Sequence, residues 1–316
     1  MTQLLLLIAV IIWGSTFVAS KICLGVMSPI QLVACRFLIA APALFLLARL
    51  RGASFRLGAH KKVLLVAVVI FSFHYLLQTW ALEFTTATNS GWIVAVSPLA
   101  IALLAAVFLR EPAPPTAGIL LASLGIVLLV SRGDLRSLGA LSSVGDLMVL
   151  ASTFTWAVFT IITRNPSRSL DPVVVTFVMT VPLAASALVL PFVLDRWTAW
   201  SELGLETSLA LAFLGLAGVA LAQWFWQRGV AKLGAAQAGV FLYLEPLATT
   251  SLAVPYLDEP FGLVTALGGV LVILGVFFAR RTGLTASWCC HVLNRGGCGV
   301  KKPARPPQID ADRREF

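Results

Sequence analysis

The stretch LLLLIAVIIWGSTFVASKICL, residues 4–24, decides the fold. Lys21 is its one charged residue, and its other polar side chains are small. A helix rises about 1.5 Å per residue, so a run near twenty residues crosses a hydrocarbon core about 30 Å thick. No basic residue precedes the run and no small-residue cleavage site breaks it. It therefore reads as a spanning helix and not as a removed signal peptide.

Runs of the same kind recur outward from this one, at 30–49, 62–82, 86–109, 114–131, 145–164, 171–194, 207–229, 235–256 and 261–280. Of 316 residues, 59% are apolar and 12% are charged, about half the charged share of a soluble domain. A soluble chain must present a polar skin, which this composition cannot supply. In lipid every backbone polar group must be satisfied within the segment, and helices do that. The runs lack the period-two alternation of an outer-membrane barrel. The predicted fold class is an all-α integral membrane protein with ten transmembrane helices.

The net charge of +9 would suggest nucleic acid in a soluble chain. Here the cations sit in short loops and a tail, where they set orientation instead. With the N-terminus inside, the inner loops hold Arg49, Arg51, Arg56, Lys61, Lys62, Arg110, Arg164, Arg168, Arg228 and Lys232. The outer side holds only Arg132, Arg136, Arg196 and Lys21. Both termini are thus expected in the cytoplasm, with the protein in the cell inner membrane and no nucleic-acid partner. Cys23 and Cys35 read as small core residues. Cys289, Cys290 and Cys298 lie near His291 but lack a C-x-x-C pair, so no metal site is assigned.

An internal repeat is legible. Trp13, Lys21 and Pro29 recur at a constant offset as Trp156, Arg164 and Pro172. Pro98, Leu99, Glu111 and Pro112 recur as Pro246, Leu247, Glu259 and Pro260, at an offset five residues larger. Five spans per half is an odd number, so the second half enters from the opposite side and the repeats are inverted. The expected domains are a first repeat over 1–131 (helices 1–5), a linker over 132–144, a second repeat over 145–281 (helices 6–10) and a cytoplasmic, disordered tail over 282–316.

The repeated residues carry a family resemblance. IIWGSTFVASK (11–21) and MSPIQLVACRFLIAAP (27–42) resemble the opening of an EamA domain of the drug/metabolite transporter superfamily. SPLAIALLAAVFLREP (97–112) and LEPLATTSLAVPYLDEP (244–260) resemble its fourth-to-fifth helix junctions. The resemblance implies ten helices, a central cavity between the halves and alternating access. It also implies substrates ranging from amino acids to nucleotide sugars. The halves are not chemically alike: Ser97 matches Glu245, and Arg36 matches Met179.

Candidate substrate-binding residues follow from chemistry at membrane depth. Pro98 and Pro246 fall mid-span, where a missing N–H frees backbone groups that are tolerated beside protein or a wet cavity. Glu245 reads as the one carboxylate deep in the bilayer. Such a residue faces a cavity or a partner, either contacting a substrate amine or carrying a proton. Its structural alternative is an ion pair with Arg36. His74, Tyr75 and Gln78 share a side of helix 3, and Gln223 and Gln227 share a face of helix 8. With Trp13, Asn89, Trp92, Trp156 and Tyr243 they predict a lining of amides and rings, polar groups orienting and rings walling. Glu111 and Glu259, each ahead of a proline, are expected to cap the next helix. Trp197 and Trp200 read as interface anchors.

No H-E-x-x-H, G-x-S-x-G or Walker A motif occurs, and no enzyme activity or cofactor is assigned. The reading is a secondary transporter, an exporter of small organic metabolites, with amino acids including apolar and aromatic ones as substrates. Proton coupling is one role open to Glu245. The alternatives are nucleosides, purines or cationic drugs as cargo, and, in another class, an intramembrane enzyme or a channel.

Overall fold

Two matched capping sites show how local chemistry sets the helix starts. Ser28 Oγ accepts from Gln31 N (3.4 Å) ahead of Pro29, and Asp171 Oδ1 accepts from Val173 N (3.0 Å) ahead of Pro172. Each proline sits in the first turn, where its missing N–H would have gone unpaired anyway. The computed structural model describes residues 1–109, 116–131, 144–193, 197–275 and 277–278. Among these all regular structure is helical, with no strand.

In chain order the helices are α1 (Thr2–Leu24), α2 (Pro29–Leu50), α3 (Lys61–Ala81), α4 (Ala87–Val94), α5 (Ser97–Leu109), α6 (Thr116–Ser131), α7 (Val144–Ser169) and α8 (Pro172–Val189). They continue as α9 (Leu205–Phe213), α10 (Gln223–Leu233), α11 (Ala235–Gly239), α12 (Glu245–Leu257) and α13 (Leu263–Gly275). Among the described residues eight segments are long and apolar enough to cross a membrane. Three of them are interrupted: α4 to α5, α9 to α10 through a π-helical stretch over Leu214–Ala222, and α11 to α12 through a 3-10 turn over Val240–Leu244. α6 and α13 are shorter apolar helices at the places expected for the fifth and tenth spans. α7 continues past the expected end at 164, through Pro166 to Ser169. Most of the expected linker (132–143) and the tail, with Cys289, Cys290, Cys298 and His291, lie outside the described residues.

The surface is inverted relative to a soluble protein. Leu46, Leu65, Val69, Val107, Leu188 and Leu263 are exposed, while Arg36, His74, Gln223 and Glu245 are buried. That is the distribution a bilayer solvent favours. The chain is a multi-pass membrane protein.

Packing follows the repeat. α2 packs most heavily against its repeat-mate α8. α1 packs on α9, the π segment, α10 and α12, and its repeat-mate α7 packs on α3, α4 and α5. Thus the first helix of each half lies against the third and fourth helices of the other. Gly14 permits one of these crossings: a Cβ there would lie 2.6 Å from Ala248 Cβ and 2.7 Å from Glu245 O. The main apolar core holds Leu6, Leu44, Ala48, Leu64, Phe71, Phe159, Val174 and Val230, toward the α1 N-terminal end.

Candidate functional site

Prolines divide two spans at matching places. Pro98 falls in the first turn of α5, after the break at Ala95–Val96. Pro246 falls in the first turn of α12, after the 3-10 turn. A proline in a first turn removes an N–H that has no intrahelical partner, so each one suits the restart of a helix at mid-span. The residue ahead of each proline, Ser97 and Glu245, lines one common cavity.

That cavity is walled by the C-terminal half of α1 (Trp13, Thr16, Phe17, Ser20), Arg36 of α2 and the C-terminal half of α3 (His74, Tyr75, Gln78, Thr79). Thr153 and Trp156 of α7, Gly218 of the π segment and Leu242 complete it. Both repeats contribute. The space is a slot of ≈ 640 Å³, its open mouth included. It lies in the half of the bundle where α1 and α3 end and α2 and α7 begin. In the opposite half a second, charged cleft lies among Arg51, Arg168, Asp171, Trp224, Arg228 and Lys232.

The floor is aromatic. The repeat-matched Trp13 and Trp156 meet edge to face at 5.2 Å, and Trp226 lies 5.4 Å from the first and 5.7 Å from the second. Trp13 Nε1 donates to Gly218 O (3.1 Å), which fixes its ring. His74 is held by Nδ1 against Ser152 O (2.9 Å) and lies 5.1 Å from the Trp156 ring. Above the floor sit the charges. Arg36 lies over the Tyr75 ring at 4.4 Å, within cation–π range. Arg36 and Glu245 are each 5% exposed. They do not meet as an ion pair: among the described residues the recorded pair is Arg51–Asp171, 3.2 Å apart, joining the end of α2 to the start of α8. Arg36 Nε and Nη2 and Glu245 Oε2 have no hydrogen-bond partner. The expected structural alternative for Glu245, a pair with Arg36, is therefore corrected.

Of the sequence-derived candidates, Trp13, His74, Tyr75, Gln78, Trp156 and Glu245 come together on the cavity. Asn89, Trp92, Pro98, Gln223, Gln227, Tyr243 and Pro246 do not line it. Asn89 lies in the first turn of α4, its N–H bound to Thr86 Oγ1 (3.0 Å). Trp92 packs on Val272 of α13, where Gly269 leaves room for its ring. Gln227 is buried and accepts from Ser167 Oγ (2.7 Å), and Gln223 is buried beside it in sequence. Tyr243 packs on Leu99. Shared helix faces were legible, but not which neighbour each face meets. Arg36, Thr16, Ser20, Ser97 and Thr153 join the lining instead. Arg36 and Ser97 were marked only through Glu245, as its possible partner and its repeat-mate, and the other three only as polar groups inside apolar runs.

Two carboxylates also differ from expectation. Glu259 does not cap the next helix: its Oε1 accepts from Ala87 N and its Oε2 from Thr88 N, both at 2.7 Å, so it caps α4 from the other half of the chain. Its repeat-mate Glu111 lies outside the described residues. Asp146, at the start of α7, is a second buried carboxylate, and it accepts from Thr85 Oγ1.

The family comparison agrees with the architecture. The model of the EamA-like transporter family matches residues 1–131 and 143–281. An uncharacterized transporter of Archaeoglobus fulgidus is 30% identical, the match covering 87% of this chain and 96% of that protein. The uncharacterized transporter YyaM of Bacillus subtilis is 27% identical over 84% of this chain and 89% of its own length. A probable amino-acid metabolite efflux pump of Escherichia coli is 24% identical over 86% of this chain and 92% of its own. A solved crystal structure aligns with TM-score 0.66 and 26% identity, over 89% of this chain and 98% of that one. With the family model matched across both halves, the chain belongs to the EamA-like transporter family.

Proposed function

We propose that the protein is a secondary transporter that exports small organic metabolites by alternating access, with amino acids, apolar and aromatic ones included, as its cargo. Ten spans in two inverted five-helix repeats form the carrier, and both termini lie in the cytoplasm of the inner membrane. The directions of the repeat-mates support the inverted arrangement: Lys21 at the end of α1 reaches Leu82 O, and Asp146 at the start of α7 meets Thr85 just beyond, so α1 ends on the side where α7 begins.

The observation that carries the reading is the slot itself: aromatic rings at mid-membrane, walls from both halves and a buried, unpaired Glu245. An ionised carboxylate at this depth costs at least about 2.5 kcal/mol unless something compensates it. A substrate ammonium supplies that compensation, and flat rings suit an apolar side chain. The Escherichia coli relative, a probable amino-acid metabolite efflux pump, favours the same cargo and direction.

Counterflow in proteoliposomes tests this. Vesicles loaded with an amino acid should accumulate its labelled form, and the effect should saturate. Trp13→Ala and Trp156→Ala should weaken transport of phenylalanine and leucine more than that of serine. Exchange of nucleosides but of no amino acid would overturn the cargo. Flux without counterflow or saturation would overturn the carrier.

A further inference from the structure

We infer that Arg36 is the receptor for the carboxylate of a zwitterionic substrate, set across the slot from Glu245, which receives its ammonium. This rests on the proposal that the slot carries amino acids, and it adds the residue that tells an amino acid from an amine.

Arg36 is buried on the N-terminal half of α2 and lines the slot. Its Nε and Nη2 donors are unused. A guanidinium is always charged, and it presents a planar fork that matches a carboxylate with two parallel hydrogen bonds. Its plane is held in place by the Tyr75 ring at 4.4 Å and the Phe37 ring at 5.4 Å. The rings orient the fork but satisfy none of its donors. Glu245 faces the same slot from the first turn of α12, fixed by the close crossing at Gly14.

Two opposite charges that share a narrow buried space gain most by touching, yet these two do not pair. They face the slot from different helices, α2 and α12, each with unmatched polar atoms. A ligand carrying one charge would satisfy one and leave the other stranded. A ligand carrying both charges satisfies both. The repeat sharpens this, because neither charge has a charged mate: Arg36 matches the fully buried Met179, and Glu245 matches Ser97. The slot thus has one polar axis and one orientation for a bipolar ligand. The tryptophan floor is left for the side chain.

The test uses the full chain in proteoliposomes, with counterflow of labelled L-phenylalanine competed by three unlabelled compounds. These are L-phenylalanine, L-phenylalaninamide (no carboxylate) and 3-phenylpropionate (no ammonium). In the wild type the zwitterion should compete at least tenfold better than either analogue. In Arg36→Gln the zwitterion should weaken about tenfold, which is about 1.4 kcal/mol, while the amide stays where it was, so the ratio between them collapses. If Arg36→Gln does not reconstitute, Arg36→Lys decides. It keeps the charge but loses the fork, so the zwitterion should weaken several-fold with the amide unmoved. An unchanged ratio in either variant, or a wild type that takes amide and zwitterion equally, overturns the assignment of Arg36 and leaves the carrier reading standing. A wild type with no amino-acid counterflow at all overturns the carrier's cargo, and the Arg36 assignment with it.

Discussion

Glu259→Gln should destabilise the protein by about 2 kcal/mol, because one carboxylate holds two backbone donors of a helix on the other side of the repeat boundary. Glu259 Oε1 and Oε2 each lie 2.7 Å from an α4 amide, Ala87 N and Thr88 N. These are two of the four N–H groups that an α-helix leaves without an internal partner. A hydrogen bond to a charged group contributes about 1.5–3 kcal/mol, and an anion at a helix N-terminus gains a further 0.3–1 kcal/mol or so. Glutamine keeps one acceptor and turns an NH2 toward the second amide, so one bond is lost and the charge with it. Alanine loses both bonds, and the expected cost rises to about 3 kcal/mol. Thermal unfolding of detergent-solubilised protein reads this directly, with Glu83→Gln as control. Glu83 is exposed, so its change should fall within about 0.5 kcal/mol of wild type. A Glu259→Gln variant as stable as the control would refute the reasoning, and Glu259 would then be a solvated loop residue whose short contacts contribute nothing.

Three further outcomes are expected. Because Arg36 and Glu245 do not pair, the costs of Arg36→Met and Glu245→Gln should add within about 0.5 kcal/mol, and recovery of folded yield in the double variant would restore the ion-pair account. Gly14→Ala should cost about 1–3 kcal/mol and lower transport, since its Cβ would meet Ala248 Cβ at 2.6 Å and the Glu245 carbonyl at 2.7 Å; wild-type thermal stability would show that α12 can shift freely. A cysteine at the exposed Ser54 should react with an impermeant thiol reagent only in inside-out vesicles, and labelling in intact cells would reverse the proposed orientation.

The helices and their order were legible in the sequence because each is a local decision. An apolar run of sufficient length in lipid has no alternative to intrahelical hydrogen bonding, and Ser28-Pro29 and Asp171-Pro172 mark starts with groups only a few residues apart. The repeat was legible because Trp13 and Trp156 sit at matching places, and Pro98 and Pro246 likewise. The facing of each helix was not. In a soluble protein the apolar stripe marks the core, but lipid is as apolar as a packed interior, so α4 and α10 carry no mark of which side meets the slot. Hence Trp92 turns to α13 and Gln227 to Ser167, while Trp13, His74 and Glu245 line the slot. Contacts across the repeat boundary were equally hidden. Nothing near Glu259 in the chain names Ala87 as its partner, and nothing near Arg36 says that Glu245 shares its cavity but stays out of reach. Sequence determined the segments, because hydrogen bonding and hydropathy act over a few residues. Tertiary structure decided which charges share a space unpaired, because that depends on how helices distant in the chain cross.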